Sequence, residues 1–189
     1  LILTIPFYRN VKKVGLLPKT GVMIAIGAGV LFAIDIATFA TAIVIGGATI
    51  PTLMSNTSPI WVGLGTLWFL KDKLPNGFWG GLAIALIGVL VVMGGDLKIS
   101  GDASQGIWLG LLSAIFYGGY YLMVERGRVY LDALSMFWVA AFVSTLSLGI
   151  IVLFMGQSFV GYSSQTYLIF LIAGIGPQIL GFLSLSYAL

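Results

Sequence analysis

The sequence predicts an all-α integral membrane protein, a polytopic helical bundle, and three observations predict it. Hydrophobic residues make up 59% of the chain and charged residues 8%, against roughly 25% charged residues in a soluble domain. The apolar residues are also gathered: residues 21–70 carry a single charge, Asp35. Lys and Arg, finally, fall in alternate gaps between the apolar runs. A chain this poor in polar surface needs lipid as its solvent over most of its length. The 26 glycines suit close helix contacts in a bilayer.

The missing residue types narrow the chemistry. With no Cys and no His, disulfides, thiolate nucleophiles, zinc sites built on His or Cys, and His-dependent proton relays are excluded within these residues. No catalytic residue, metal or cofactor is expected. The net charge of +3 comes from basic residues in short gaps. They read as topology signals and not as a nucleic-acid surface.

A helix needs about 20 apolar residues to cross the hydrocarbon core. Residues 21–70 are far too long for one crossing and fit two, about 21–45 and 48–70, with Gly46-Gly47, Thr49 and Pro51 marking the turn. Lys71-Asp72-Lys73-Leu74-Pro75-Asn76 interrupts, and a third run covers about 77–95. The polar stretch 96–105 (DLKISGDASQ) precedes a fourth at about 106–124, closed by Glu125-Arg126-Gly127-Arg128. A fifth runs about 133–155 with Asp132 as a plausible N-cap, and a sixth about 166–189. Residues 1–8 read as the tail of a further helix. Both ends fall inside apolar runs, so further apolar runs are expected beyond them.

Arg9, Lys12, Lys13, Lys19, Lys71, Lys73, Arg126 and Arg128 lie in alternate loops, and the opposite loops contain only Lys98. Basic residues are enriched on the cytoplasmic side. Segments 1–20, 71–76 and 125–132 are therefore assigned to the cytoplasm.

Within the runs, Asp35 is the most informative residue. A charge at mid-bilayer costs roughly 2.5–3.5 kcal/mol on insertion scales, so it should face a bundle interior or an aqueous cavity. On a helical wheel it lies with Ala28, Leu31, Thr38 and Ala42. A separate stripe of Gly21, Ala25, Gly29, Ala33, Ala37 and Thr41 is suited to helix packing, as is Gly77, Gly81, Ala85 and Gly88. Ser55-Asn56-Thr57-Ser58-Pro59 should weaken the second crossing near its middle and free carbonyls there. Such discontinuous helices often line transporter cavities. Asn56 and Pro59 are thus a binding candidate and a break candidate. Gly174-Ile175-Gly176-Pro177-Gln178 is a second break, where Gln178 should face the bundle. Tyr117 and Trp138 are candidates for a cavity wall, the latter in line with Ser135, Phe142 and Thr145. Tyr120 and Tyr121 are assigned to the interfacial belt.

Together these residues resemble the EamA-type branch of the drug/metabolite transporter superfamily. The resemblance is carried by SPIWVGLGTLWFLKDKLPNGFWGGLAIALIGVLVV, which contains Pro59 through Gly88. It is similar to the family's fourth and fifth helices: a Pro, an apolar run, a short charged turn and a Gly-rich helix. Asp72-Lys73-Leu74 stands where the family usually has Glu-Arg-Leu. Residues 106–124 resemble the sixth helix, and Ser186-Tyr187-Ala188-Leu189 resembles the eighth and echoes Ala40-Thr41-Ala42-Ile43.

The resemblance implies a ten-helix bundle of two five-helix repeats, the second inverted because each repeat has an odd number of helices. The chain would hold the end of helix two through helix eight. Residues 1–95 would close the first repeat, 96–105 would form a periplasmic linker, and 106–189 would begin the second. The implied function is secondary-active export of a small metabolite or drug-like solute by alternating access, in the bacterial plasma membrane. Expected partners are that solute, the lipid bilayer, coupling protons and a second copy of the chain, and no nucleic acid. The rivals are a membrane-embedded enzyme and a channel-like pore. An intramembrane aspartyl protease needs two facing Asp residues, a rhomboid-like protease needs His, and a channel would carry a filter motif.

The orientation has a direct test, since the sequence has no Cys background. In whole cells, a membrane-impermeant thiol reagent should label Ser100→Cys and leave Asn76→Cys untouched. Labelling at 76 alone would reverse the topology.

Overall fold

The structure is a computed structural model and describes residues 4, 7–9, 17–93, 103–156, 160–181 and 184. Every regular element among them is helical, the arrangement that satisfies backbone N–H and C=O groups without water. Helix α1 spans Lys19–Gly46. Gly47, at φ 75°, then turns the chain in the left-handed region that glycine enters freely. Helices α2 (Thr49–Ser55) and α3 (Ser58–Gly65) follow, the latter widening into a π turn over Thr66–Leu70. Helix α4 covers Asn76–Met93, α5 Ala103–Gly127 and α6 Ala133–Phe154. Helix α7 (Ser164–Ala173) passes into a π-helical segment, Gly174–Gly181.

Among the described residues, three helices are long and apolar enough to cross a membrane: Lys19–Gly46, Gln105–Gly127 and Ala133–Phe154. At 28 residues, α1 is about 42 Å long, more than the ~30 Å hydrocarbon core requires. Outward-facing side chains stay apolar, with Val44 85% and Phe154 87% exposed. Such surfaces belong against lipid and mark an integral membrane protein.

The expected crossing over 48–70 is not one continuous helix. It divides at Asn56-Thr57, where the sequence places its polar run, and Pro59 sits in the first turn of α3, where a missing N–H costs nothing. The expected Asp132 cap is present: its Oδ2 accepts from the Ser135 N–H at 3.1 Å and starts α6. Ser163 starts α7 in the same way, accepting from Thr166 N–H at 3.3 Å. The segments 10–16, 94–102 and 185–189, which hold Lys12, Lys13, Lys98, most of the expected linker and the Ser186–Leu189 echo, lie outside the described residues. So does most of the expected helix tail over 1–8.

The chain divides into two compact units, Leu31–Leu122 and the pair Leu1–Val30 with Met123–Leu189. In the first, the later part of α1 runs antiparallel to α5. A Cβ on Gly46 would lie 2.9 Å from the Gly106 Cα, and one on Gly119 would lie 3.1 Å from Leu31 Cδ1. Helices α2 and α3 run parallel to α5 in the same unit. A Cβ on Gly110 would meet the Pro51 Cα at 2.9 Å, and one on Gly118 would meet the Trp61 Cβ at 2.9 Å. Gly106, Gly110, fully buried Ala114 and Gly118 thus form a four-residue repeat of small side chains along α5.

In the second unit, the early part of α1 packs through its own small residues. A Cβ on Gly21 would strike the Tyr130 Cβ and Leu131 Cγ at 2.8 Å each, and one on Gly29 would lie 2.5 Å from the Ala140 carbonyl oxygen. The stripe expected from Gly21 to Ala33 is therefore a packing stripe at these positions. The second expected stripe is corrected: nothing lies within 4 Å of a Cβ on Gly77, Gly81 or Gly88, and Ala85 is exposed. Its four-residue spacing permits a close neighbour, but no described helix occupies that face.

The two kinds of glycine should respond in opposite ways to one methyl group. Gly106→Ala is expected to lower stability by about 1–3 kcal/mol, because backbone on α1 blocks the added carbon. Gly81→Ala should be neutral or gain up to ~1 kcal/mol from helix propensity. Denaturant titration of both variants in bicelles checks the contrast. A Gly106→Ala protein as stable as its parent would show that the α1–α5 approach is not tight.

Candidate functional site

The site grows from the antiparallel register of α1 on α5. With Gly46 against Gly106 and Leu31 against Gly119, Asp35 comes level with Ser113. The Ser113 hydroxyl donates to Asp35 Oδ1 at 2.5 Å, and both residues are buried, Asp35 to 7% exposure and Ser113 completely. Oδ1 is thus satisfied. The other oxygen, Oδ2, accepts no hydrogen bond among the described residues. The described Lys residues of this unit, Lys71 and Lys73, are exposed in the loop before α4. A buried carboxyl group with one hydrogen bond and no counter-ion can hold a proton or receive a cation.

One turn further along α5 lies an aromatic cluster. Ser113, Tyr117 and Tyr120 are spaced four and three residues apart and so share a helix face. Phe32 precedes Asp35 by three residues and shares its face of α1. The Phe32 and Tyr120 rings pack at 4.9 Å between centroids, and Tyr117 stacks parallel to Tyr120 at 6.2 Å. Tyr117 and Tyr121 meet at 4.6 Å with their hydroxyls 2.7 Å apart. Tyr117 therefore lies one helical turn beyond Ser113, on the face of α5 that carries the bond to Asp35. The belt assignment of Tyr120 is corrected: it is 3% exposed and covered by Phe32 and its neighbouring rings. Proximity to a helix end is a weaker guide than the face on which a residue stands.

The remaining candidates go elsewhere. Asn56 is exposed at the helix break, and its Nδ2 donates to the Thr52 carbonyl at 2.8 Å, finishing α2. Thr57 does the same for the Met54 carbonyl at 2.6 Å. Pro59 has no N–H to give the Ser55 carbonyl four residues earlier. Nearby, the Trp61 indole N–H is buried without a partner among the described residues.

Trp138 belongs to the other unit. Its ring stacks nearly parallel to Phe7 at 4.1 Å and to Phe142 at 5.2 Å, and its N–H donates to Thr4 Oγ at 3.4 Å. Thr145 turns its hydroxyl onto the Ala141 carbonyl at 2.8 Å. The backbone of Pro177 and Gln178 lies in the π-helical segment Gly174–Gly181, which follows α7 without interruption. Their side chains lie outside the described residues. Among the described residues no group of three or more acidic, His or Cys side chains gathers to hold a metal.

Sequence reasoning missed Ser113 and Phe32. The signal for Ser113 was its position one turn before Tyr117 in an otherwise apolar stretch. Phe32 offered none, because an aromatic ring in a membrane helix is unremarkable until its neighbour is known.

No family model and no curated protein matches the chain. A solved structure described as "Crystal structure of protein" matches it with a TM-score of 0.64 and 15% sequence identity, covering 88% of this chain and 68% of its own. At that identity the likeness concerns the fold alone.

Removing the one donor to Asp35 should be felt. Ser113→Ala is expected to cost about 1–2 kcal/mol, the range for a buried hydrogen bond between membrane helices. Ser113→Thr should restore most of it by keeping the hydroxyl. Reversible unfolding in bicelles checks both, and a silent Ser113→Ala would mean that the bond does not hold α1 to α5.

Proposed function

We propose that this chain is part of a secondary-active transporter that moves a small metabolite or drug-like solute across the bacterial inner membrane, in the export direction, by alternating access. The observation that carries this reading is the half-satisfied Asp35 carboxyl group inside a membrane-crossing helix. Such groups are costly, and in membrane proteins they mark ion and substrate pathways. A group satisfied on one oxygen alone changes its charge when it gains or loses a proton. It can therefore couple proton movement to a solute.

Two further features support the reading. The crossing breaks between α2 and α3 at Asn56-Thr57, as do the discontinuous helices that line transporter cavities. The resemblance to EamA-type transporters supplies the rest: two inverted five-helix repeats that rock against each other, a multi-pass chain, export, and pairing with a second copy.

The test uses the intact protein in proteoliposomes. Asp35→Asn keeps the shape and the acceptor for Ser113 but cannot titrate. It should leave insertion and abundance unchanged and abolish accumulation driven by a pH gradient. Solute exchange at equal pH should persist, because it needs no net proton movement. Accumulation by the variant at the parental rate would remove Asp35 from the coupling step. A variant that fails to fold would make the residue structural.

A further inference from the structure

We infer that the turn between the π segment Thr66–Leu70 and α4 holds the headgroup of an anionic phospholipid. Lys71 and Lys73 answer its phosphate, and the rings of Trp68 and Phe69 lie along its glycerol and upper acyl chains. The site belongs to the unit Leu31–Leu122, and it stands whether or not the chain moves a solute.

The argument starts from the backbone. The π turn ends at Leu70, and Lys71 closes it in the left-handed region at φ 57°. The N–H groups of Lys71 and Asp72 both donate to the Thr66 carbonyl, that of Asp72 at 3.3 Å. Helices that end this way usually place glycine at the left-handed position, because a Cβ is strained there. Lys71 is the one non-glycine residue with positive φ among the described residues. A side chain kept where glycine would relax the turn points to a use for that side chain. The π turn beside it is a second departure of the kind that gathers at functional sites.

The far end of the turn is held too. The Phe78 N–H donates to the Pro75 carbonyl at 2.9 Å. A Cβ on Gly63 of α3 would meet Phe78 Cε1 at 2.9 Å and Trp79 Cη2 at 3.2 Å, so the first turn of α4 is seated on α3. The two lysines therefore stand on a short turn fixed at both ends.

The surroundings choose the occupant. Trp68 is 71% and Phe69 79% exposed, and Lys71, Asp72 and Lys73 are exposed after them. Aromatic rings at the end of a crossing sit at headgroup level, where lysine side chains reach phosphate. An occupant must be apolar beside the rings and anionic beside the lysines. Free phosphate or a nucleic-acid backbone would leave both rings uncovered, and a zwitterionic lipid would leave the lysines short of negative charge. Two Lys against one Asp leave a single positive charge on the turn, which suits one phosphodiester. The orientation assigned from Lys and Arg turns this segment to the cytoplasmic leaflet, whose anionic lipids attract basic segments.

The test places the intact protein in phosphatidylcholine bilayers that contain bromine-labelled phosphatidylglycerol or, in parallel, bromine-labelled phosphatidylcholine. Bromine quenches an indole that it touches, and the same measurement on Trp68→Phe isolates Trp68 from the other tryptophans. Phosphatidylglycerol should be preferred beside Trp68 by roughly threefold or more. Lys71→Gly should lose most of that preference while its thermal midpoint holds or rises, since glycine relaxes the turn. Lys73→Gln should lose preference as well, and it carries the comparison if Lys71→Gly fails to fold. Asp72→Asn should raise the preference, a gain that mere disruption of the turn would not give. Arg126→Gln, which removes an exposed charge from another basic loop, should change nothing. Equal quenching by the two lipids, full preference in the Lys variants, or an equal loss in Arg126→Gln would overturn the site.

Discussion

Placing a carboxyl group inside a membrane helix imposes the constraint on which this fold depends. In hydrocarbon the group cannot call on water, and an unmatched polar atom costs several kcal/mol. Asp35 finds Ser113 at 2.5 Å, and that bond exists only if α1 and α5 approach closely in one register. The approach comes from glycine set against glycine, Gly46 on Gly106. A methyl group there would press on the backbone of the facing helix and strain that bond. The small residues and the polar pair are thus one arrangement: packing by the first brings the second into range, and the second penalises any slip of register.

The same rule governs the backbone. Where the chain departs from a regular helix, side chains return the lost bonds. Asn56 and Thr57 donate to the Thr52 and Met54 carbonyls at the α2–α3 break. Thr38 and Thr41 turn their hydroxyls onto carbonyls of α1 itself, Thr41 to Ala37 at 2.7 Å. These hydroxyls are engaged locally, which leaves Ser113 as the one that reaches across to Asp35 among the described residues of α5.

What the sequence makes legible is what local chemistry decides. Asp132 and the turn at Gly47 could be read from single residues, because a cap and a left-handed glycine need no distant partner. The break at Asn56 could be read because a polar run before a proline weakens any helix. The importance of Asp35 was legible because its cost is set by depth in the bilayer and not by its neighbour. The identity of that neighbour was not, since it depends on the register between helices about 78 residues apart in sequence. The Gly77–Gly88 stripe fails for the same reason in reverse. Its spacing equals that of Gly106–Gly118, but spacing describes one helix and packing needs two. Tyr120 was misplaced because distance from a helix end was weighed above helix face.

Two aromatic groups with similar composition differ in what they leave unused. Trp138 has Phe7 and Phe142 stacked parallel to its ring and Thr4 on its N–H. A solute could reach its ring only by displacing a stacked neighbour and forfeiting that contact. The tyrosine cluster on α5 is also packed, but it adjoins an oxygen that no side chain completes. A ligand arriving there displaces no hydrogen bond and relieves an uncompensated charge. That difference in unmet demand, rather than aromatic content, separates a group that stabilises a fold from one that can respond to a solute.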